Sequence, residues 1–156
     1  MLEVNVPGFR TLAFSHLVLD YNGTIACDGH LLPGVRDRLE ALSRNVAVHI
    51  LTADTFGSAE KELTGIPCDL EVIGRENQAE AKVVYVRHLG LQETVSVGNG
   101  RNDALMLKET VLGIALIQEE GGAVEALLAA DIVARSILDA LDLLLRPLRL
   151  TATLRS

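Results

Sequence analysis

Short apolar runs alternate with segments of helical periodicity along almost the whole chain. The runs have the length of buried strands, and the segments between them repeat apolar residues every three or four positions. This alternation predicts an α/β fold of three layers, in which a parallel sheet carries helices on both faces. The predicted strands cover 16–19, 46–51, 69–73, 94–97, 111–117 and 131–133. The predicted helices cover 34–44, 56–64, 76–89, a segment that starts near Asn102, 122–129 and 136–145.

Three segments fall outside this alternation. Residues 1–15 alternate weakly around a Pro-Gly turn, which predicts a hairpin or an edge element. Residues 25–33 carry two turn dipeptides and predict a small hairpin flap. Residues 147–156 are interpreted as a packed C-terminal tail. The connections after the strands are short, so we expect one domain over residues 1–156 without an inserted cap domain.

Composition and charge narrow the range of partners. Hydrophobic residues make up 49% of the 156 positions and aromatic residues only 3%, so the core must consist mainly of aliphatic side chains. The net charge of −7 argues against nucleic acid as a partner, because nucleic-acid-binding proteins usually present a basic face. No apolar run reaches the roughly 20 residues of a membrane span. Cys27 and Cys68 lack the spacing of a disulfide framework, which predicts reduced thiols and a cytoplasmic location.

Polar residues directly follow several of the predicted strands. In open α/β sheets, ligands bind beyond the carboxyl ends of the strands, so we expect these side chains to meet at one edge. Lys82, near the start of the helix after the third of these strands, can reach the same edge. The residues at the strand ends are Asp20, Thr52 with Asp54, and Asn99 with Asp103.

Each of these residues also has an interpretation without catalysis. Asp20 fits a strand-end turn, and Thr52 fits a helix N-cap. For Asp54, a helix cap and a site residue are about equally good interpretations. Lys82 alone is typical of a solvated helix lysine, and residues 98–100 fit a plain turn.

The histidines show no metal-ligand spacing, so zinc is not expected. His49 alternates within a buried strand and is expected to be a hydrogen-bonded interior group, whereas His30 lies in the flap and can approach a substrate.

Four short motifs, taken in order, resemble those of the haloacid dehalogenase (HAD) superfamily. That family has an apolar strand followed by Asp-x-Asp-Gly-Thr, a strand that ends in Ser or Thr, a Lys at a helix start, and Gly-Asp-x-x-x-Asp or Gly-Asp-Gly-x-Asn-Asp. Order and spacing agree over roughly residues 14–135. The matching segments here are Asp20-Tyr21-Asn22-Gly23-Thr24, Leu51-Thr52, Lys82 and Gly98-Asn99-Gly100-Arg101-Asn102-Asp103.

A closer resemblance is to the phosphorylation domain of P-type ATPases, whose motifs are Asp-Lys-Thr-Gly-Thr, Thr-Gly-Asp and Gly-Asp-Gly-x-Asn-Asp. Residues 52–54 are similar to the middle motif, and Asn22 stands where the pumps have Thr. Ion pumping is excluded, because neither membrane spans nor a nucleotide-binding insertion fit into 156 residues. The chain therefore resembles the soluble, P-type-ATPase-like members of the superfamily, which implies a Rossmann-like sheet without a cap domain.

The resemblance implies a magnesium-dependent phosphohydrolase or phosphotransferase in which Asp20 forms an aspartyl phosphate. It implies that Thr52 holds a phosphoryl oxygen and that Lys82 offsets negative charge. The positions that match substrate-binding residues are Gly23, Thr24, Ala53, Asp54 and Asn102. The positions that match Mg²⁺ ligands are Asp20, the backbone oxygen of Asn22, Asn99 and Asp103. We expect weak Mg²⁺ binding, because the amide at 99 brings no charge.

Asn22 is the most informative departure from the family pattern. Family phosphatases have an Asp there, which protonates the leaving group and then activates the hydrolytic water. Asn cannot exchange a proton in this way, and general acid–base catalysis contributes about 10²–10⁴-fold. We therefore expect slow turnover, unless the leaving group is good or Asp54 takes over. The alternative is that Asn22 reflects a turn preference alone.

Two other functional classes remain as alternatives. In the first, the chain is a non-catalytic regulatory or phosphate-sensing module, and Asn22 and Asn99 mark a retired active site. In the second, it is a phosphorelay receiver domain, which the lack of an acceptor after the third strand, at Ile73-Gly74, argues against. If the chain is an enzyme, the substrate is expected to be an accessible phosphate monoester, an acyl phosphate or a phosphoprotein. The resemblance to capless proteins implies a large substrate or a neighbouring subunit that covers the site, and it therefore favours a homo-oligomer.

Overall fold

The computed structural model describes residues 1–54 and 57–156 of the chain. Single-turn 3-10 helices at Leu91–Glu93 and Arg101–Asp103 directly precede the strand that starts at Thr94 and the helix that starts at Ala104, respectively. The strands are β1 (Leu2–Val6), β2 (Arg10–Phe14), β3 (His16–Asp20), β4 (Ala26–Cys27), β5 (His30–Leu31), β6 (Ala47–Thr52), β7 (Asp69–Val72), β8 (Thr94–Gly98), β9 (Leu112–Leu116) and β10 (Ile132–Ala134). The α-helices are α1 (Val35–Leu42), α2 (Ser58–Glu62), α3 (Gln78–Leu89), α4 (Ala104–Glu109), α5 (Val124–Ala129), α6 (Ile137–Leu145) and α7 (Pro147–Leu154).

The centre of the fold is a six-stranded sheet in the order β10-β9-β8-β3-β6-β7, and every pairing in it is parallel. The chain starts in the middle of the sheet at β3, runs outward through β6 and β7, and then crosses back to β8 on the other side of β3. The strand order therefore reverses between β3 and β8, and this switch point is where open α/β sheets bind ligands. The predicted Rossmann-like α/β sheet is confirmed.

Both faces of the sheet are covered, because successive residues of a strand point to opposite sides. On one side, Leu17 and Leu19 of β3 belong to a large aliphatic core with α1, α6, α7 and the hairpin of β1 and β2. On the other side, Val18 packs with Val83 and Val86 of α3 and with α4. The central strands are therefore almost continuously apolar, which is the pattern expected of a parallel sheet buried on both faces.

The ends of several elements differ from the sequence prediction. Residues 147–154, expected as a tail, form α7, which buries Leu150 against the hairpin side of the core. Pro147 occupies the first turn of this helix, where its fixed φ is favourable and its missing N–H costs no helical hydrogen bond. The predicted start of the helix at 56–64 lies outside the described residues, and α2 is described over Ser58–Glu62. Within the described residues, no helix is long and apolar enough to cross a membrane.

Gly113 lies where α4 approaches the sheet closely. It lies in the buried strand β9, and a Cβ atom at this position would overlap the backbone carbonyl of Leu107 in α4. We expect Gly113→Ala to reduce the free energy of unfolding by about 1–3 kcal/mol, because α4 must move away from the sheet. Urea denaturation measures this loss. Gly74→Ala is the matched control, because its Cβ would lie 3.9 Å from the nearest atom outside the adjacent residues, the carbonyl oxygen of Glu76. Equal losses in both variants would contradict the explanation.

A chain of hydrogen bonds links β3, β6 and α3 on the second face. The Nδ1 atom of His16 lies 3.0 Å from Nε2 of His49, and Nδ1 of His49 lies 2.9 Å from the hydroxyl of Tyr85. The prediction that His49 is a hydrogen-bonded interior group is confirmed. Burial lowers the pKa of His49 below its usual 6.5, and the neighbouring His16 lowers it further, against the opposing effect of Asp69.

This lowered pKa predicts a pH-dependent stability. Between its usual pKa of 6.5 and the lower pKa of the folded state, the unfolded chain binds a proton at His49 that the folded chain does not. The contribution of His49 to stability is therefore complete above pH 6.5 and is lost as the pH falls towards the folded-state pKa. Urea unfolding across this range should show a steeper acid loss for the wild-type protein than for His49→Leu. Identical pH profiles for the two proteins would contradict this account.

Candidate active site

Residues 20–26, which we name the nucleophile loop after the role predicted for Asp20, lie at the switch point of the sheet. Asp20 ends β3, and the backbone N–H groups of Thr24, Ile25 and Ala26 all donate to the carbonyl of Tyr21. Gly23 adopts a φ of 82°, and its Cα faces the Asn99 amide so closely that a Cβ would overlap it. The loop is therefore a tight turn that holds the Asp20 carboxylate in one place at the carboxyl edge of the sheet.

Lys82 is the centre of the polar network beneath this edge. Its Nζ atom donates to Oδ1 of Asp20 at 2.8 Å, to Oδ1 of Asn102 at 3.0 Å and to Oδ1 of Asp103 at 2.7 Å. These bonds use all three protons of the ammonium group. The side chain is only 2% exposed, and it enters the site from the second turn of α3. Lys82 is thus not a solvated helix lysine, and it joins segments that are distant in sequence.

Asp103 is completely buried beneath the site. One of its oxygens accepts from Lys82, and the other accepts the backbone N–H groups of Asn99 at 3.1 Å and Gly100 at 2.9 Å. The carboxylate therefore fixes the loop after β8. Asp103 was expected as a Mg²⁺ ligand, but the structure directs both of its oxygens to protein donors and leaves it out of the cavity lining.

The environment of Asp20 disfavours its ionised form. Burial raises its pKa from 3.8 to about 7, the charge of Asp103 adds to this rise, and Lys82 opposes it. The pKa of Lys82 is raised despite its burial, because both carboxylates stabilise the ammonium. The second oxygen of Asp20 accepts a hydrogen bond from the Thr24 hydroxyl at 3.3 Å. Asp20 is therefore held as an ion mainly by one buried cation.

A cavity of about 250 Å³ opens above Asp20. Six residues predicted from the sequence line it, and Gln78, Gly100 and Glu120 join them. A neighbouring cavity of about 530 Å³ extends from it towards the flap and shares Asn22, Ala53 and Glu120 with it. The predicted residues in the smaller cavity are Asp20, Asn22, Thr52, Ala53, Asn99 and Asn102.

Three other predicted site residues lie outside this lining. The N–H groups of Gly23 and Thr24 bind carbonyls within their own loop, and both residues are buried. Asp54 accepts from the Ser58 hydroxyl at 2.6 Å and from the N–H of Ala59 at 3.2 Å, so it caps the start of α2. Asp54 lines only the neighbouring cavity, and the cap interpretation describes its contacts best.

The oxygen atoms around the cavity suit a hard cation that keeps several waters, as Mg²⁺ usually does. Asp20 supplies a carboxylate. The Asn99 side chain donates its N–H to the carbonyl of Gly121 at 3.1 Å, which leaves its amide oxygen as an acceptor. No group of three or more His, Cys, Asp or Glu residues arranged to hold a metal ion occurs in the described parts of the chain. Among the predicted ligands, a bound Mg²⁺ would therefore depend on one carboxylate, that of Asp20, together with neutral oxygens and water.

Gln118 was not predicted, yet it clamps the nucleophile loop. Its Nε2 atom donates to the carbonyls of Gly23 at 2.9 Å and Thr24 at 2.7 Å, and its Oε1 atom accepts the N–H of Ile137 at 2.9 Å. It follows β9 closely, just as the predicted site residues follow their strands. Gln118 belongs to none of the four family motifs. It could still have been predicted from its place after a buried strand, because polar residues there reach one edge of the sheet.

We expect Gln118→Ala to lower the free energy of unfolding by about 1–3 kcal/mol, because it removes the partners of two loop carbonyls and of an N–H at the start of α6. Urea denaturation measures this loss. Gln118→Glu should also destabilise the loop, since it keeps the length but has no amide donor. Gln92→Ala, at an exposed position, is the control; a loss as small as in that control would show that the clamp is unimportant.

Comparison with solved structures identifies the class of fold. A 3-deoxy-D-manno-octulosonate 8-phosphate phosphatase from Moraxella catarrhalis, determined with magnesium and phosphate ions, superposes with a TM-score of 0.71 at 14% identity over 85% of this chain and 86% of that one. The cobalt-bound phosphatase of the same kind from Haemophilus influenzae gives 0.72 at 11% identity over 92% and 94%. The chain therefore has the fold of the HAD superfamily, as the sequence motifs suggested.

Two sequence relatives come from Methanocaldococcus jannaschii. The uncharacterized protein MJ0073 is 42% identical over 89 residues, which are 56% of this chain and 96% of the relative. The uncharacterized protein MJ0072 is 49% identical over 39 residues, 25% of this chain and 89% of the relative. No established family profile matches the chain. The chain belongs to the family of MJ0073.

Proposed function

We propose that the chain is a magnesium-dependent phosphohydrolase or phosphotransferase that accepts a phosphoryl group on Asp20. The observation that carries this proposal is the geometry of Asp20 itself. It lies at the switch point of the sheet, opens onto a polar cavity, and is held 2.8 Å from a buried lysine. A structural turn aspartate would need neither the cavity nor the buried cation.

In the first step, a carboxylate oxygen of Asp20 attacks phosphorus and displaces the leaving group, which gives an aspartyl phosphate. Lys82 favours the ionised, nucleophilic form of Asp20, and the tight loop aims it at the cavity. The hydroxyl of Thr52 and the amide of Asn102 line the cavity and can hold phosphoryl oxygens. Magnesium, when bound by Asp20, the Asn22 carbonyl and Asn99, would supply the positive charge that lets carboxylate and phosphate approach.

The second step, hydrolysis of the aspartyl phosphate, is expected to be slow. Asn22 is exposed at the cavity, but its amide cannot take a proton from water. Asp54, which was considered as a replacement, is occupied in capping α2. We therefore expect the enzyme to favour substrates with good leaving groups, such as acyl phosphates and aryl phosphates, and its phosphoenzyme to be hydrolysed more slowly than one with an Asp at position 22.

The cavity also bears on the size of the substrate. It opens to the surface beside the flap formed by β4 and β5, and no cap domain is present in the described parts of the chain. An uncapped site accommodates a phosphorylated macromolecule, or it is closed by a second subunit. Both remain part of the proposal, together with a cytoplasmic location.

A pair of substitutions tests the assignment. Asp20→Asn should abolish hydrolysis of acetyl phosphate and p-nitrophenyl phosphate in the presence of Mg²⁺. Asn22→Asp should raise turnover, most strongly for alkyl phosphates with poor leaving groups, and by up to about 10²-fold if it restores acid–base catalysis. Asn45→Asp, at an exposed position remote from the cavity, has the same charge change and serves as the control. Full activity in Asp20→Asn would show that the nucleophile is wrongly assigned.

A non-catalytic phosphate-sensing module is the second candidate. Asn22 and Asn99 favour it, because both replace carboxylates of the family pattern. A sensor should bind phosphate or beryllium fluoride without Mg²⁺-dependent hydrolysis of any ester, whereas the enzyme should be trapped by beryllium fluoride at Asp20 and should hydrolyse acyl phosphates.

A further inference from the structure

We propose that Glu120 is the general base that activates water for hydrolysis of the aspartyl phosphate at Asp20. The inference rests on the proposed function and adds a residue that the family motifs do not include. Glu120 lines the small cavity together with Asp20 and Asn22, and it also lines the neighbouring cavity on the flap side. It therefore lies where the two cavities adjoin, on the open side of the cavity that contains Asp20.

The turn that carries Glu120 is fixed on both sides. The N–H of Gly121 donates to the carbonyl of Gln118 at 2.8 Å and closes the turn. Gln118 holds the carbonyls of the nucleophile loop, and the carbonyl of Gly121 accepts from the Asn99 side chain at 3.1 Å. Glu120 thus belongs to a short turn whose flanking residues are bonded to the loops after β3 and β8.

The other carboxylates near Asp20 are committed elsewhere. Asp103 lies buried beneath the site, with both oxygens on protein donors. Asp54 caps α2, and Asp28 lines only the neighbouring cavity. Among the residues that the structure describes, Glu120 is the one carboxylate besides Asp20 in the lining of the small cavity.

The chemical step is balanced without another reactant. The Glu120 carboxylate takes a proton from a water molecule as the water oxygen bonds to phosphorus. The bond between phosphorus and the Asp20 oxygen breaks, its electron pair returns to Asp20 as carboxylate, and inorganic phosphate leaves. Glu120 is exposed, so it returns the proton to solvent. Asn22 donates no proton in the first step, so phosphorylation of Asp20 requires a substrate with a good leaving group. Hydrolysis of the aspartyl phosphate, the second step, requires Glu120.

Rapid-quench measurement of the phosphoenzyme, with labelled acetyl phosphate and Mg²⁺, tests the proposal. Glu120→Gln should form the phosphoenzyme at the wild-type rate and lose it about 10²-fold more slowly, at the lower end of the usual range for acid–base catalysis. Glu119→Gln is the matched control, because it is exposed, makes the same charge change next door, and lies outside the cavity lining. Adding Asn22→Asp to Glu120→Gln should restore fast hydrolysis.

Equal phosphoenzyme lifetimes in Glu120→Gln and Glu119→Gln would overturn the assignment of Glu120. So would slower phosphorylation with an increased Mg²⁺ requirement in Glu120→Gln, which would make this residue a metal ligand. Failure of the wild-type protein to form any phosphoenzyme at Asp20 would instead remove the proposed function on which the inference rests.

Discussion

The structure of the site depends on one buried ammonium group. Lys82 gives its three protons to Asp20, Asn102 and Asp103, and these partners come from β3 and from the loop after β8. A buried ion pair contributes little net stability compared with apolar packing, but removing one partner is costly because the remaining charge stays buried. The Lys82 network therefore specifies the arrangement of the loops more than it strengthens the fold. Within the described residues, every buried side-chain nitrogen and oxygen has a hydrogen-bond partner, so the network is complete.

The sequence predicts the parts of this arrangement that follow from local patterns, but not the parts that follow from contacts between residues remote in sequence. Local patterns are sufficient for the strands, because a strand buried on both faces must be apolar along its length. They also place Asp20, Thr52 and Asn99 at strand ends, where topology alone brings them together. Local patterns do not predict the direction of a side chain at a strand end, because this direction depends on partners that are remote in sequence. Asp103 does not line the cavity, and its oxygens accept from Lys82 and two backbone N–H groups instead.

The same reasoning explains the residues that the motifs missed. Gln118 binds a loop that lies 94 residues earlier in the chain, and no periodicity encodes such a contact. The segment of α7 was interpreted as a tail that contains Pro147, although a proline is favourable in a first helical turn. Both errors come from interpreting a residue by its type alone, when its position relative to a buried strand or a helix end decides its role.

The charges of the buried side chains explain why the site favours a bound cation. Asp20 and Asp103 together carry two negative charges when ionised, against one positive charge on Lys82, so the buried network has an excess of one negative charge. Burial is the main cause of the rise of the Asp20 pKa to about 7, and the charge of Asp103 adds to it, so a proton on Asp20 can remove the excess. A divalent cation can compensate it as well, and it does so without blocking the carboxylate as a nucleophile. Protons and cations therefore compete to neutralise the same excess negative charge. This excess exists because the Asp103 carboxylate is buried where it holds the loop after β8. The excess negative charge is thus a consequence of how the loop after β8 is held, which links the stability of the site to its chemistry.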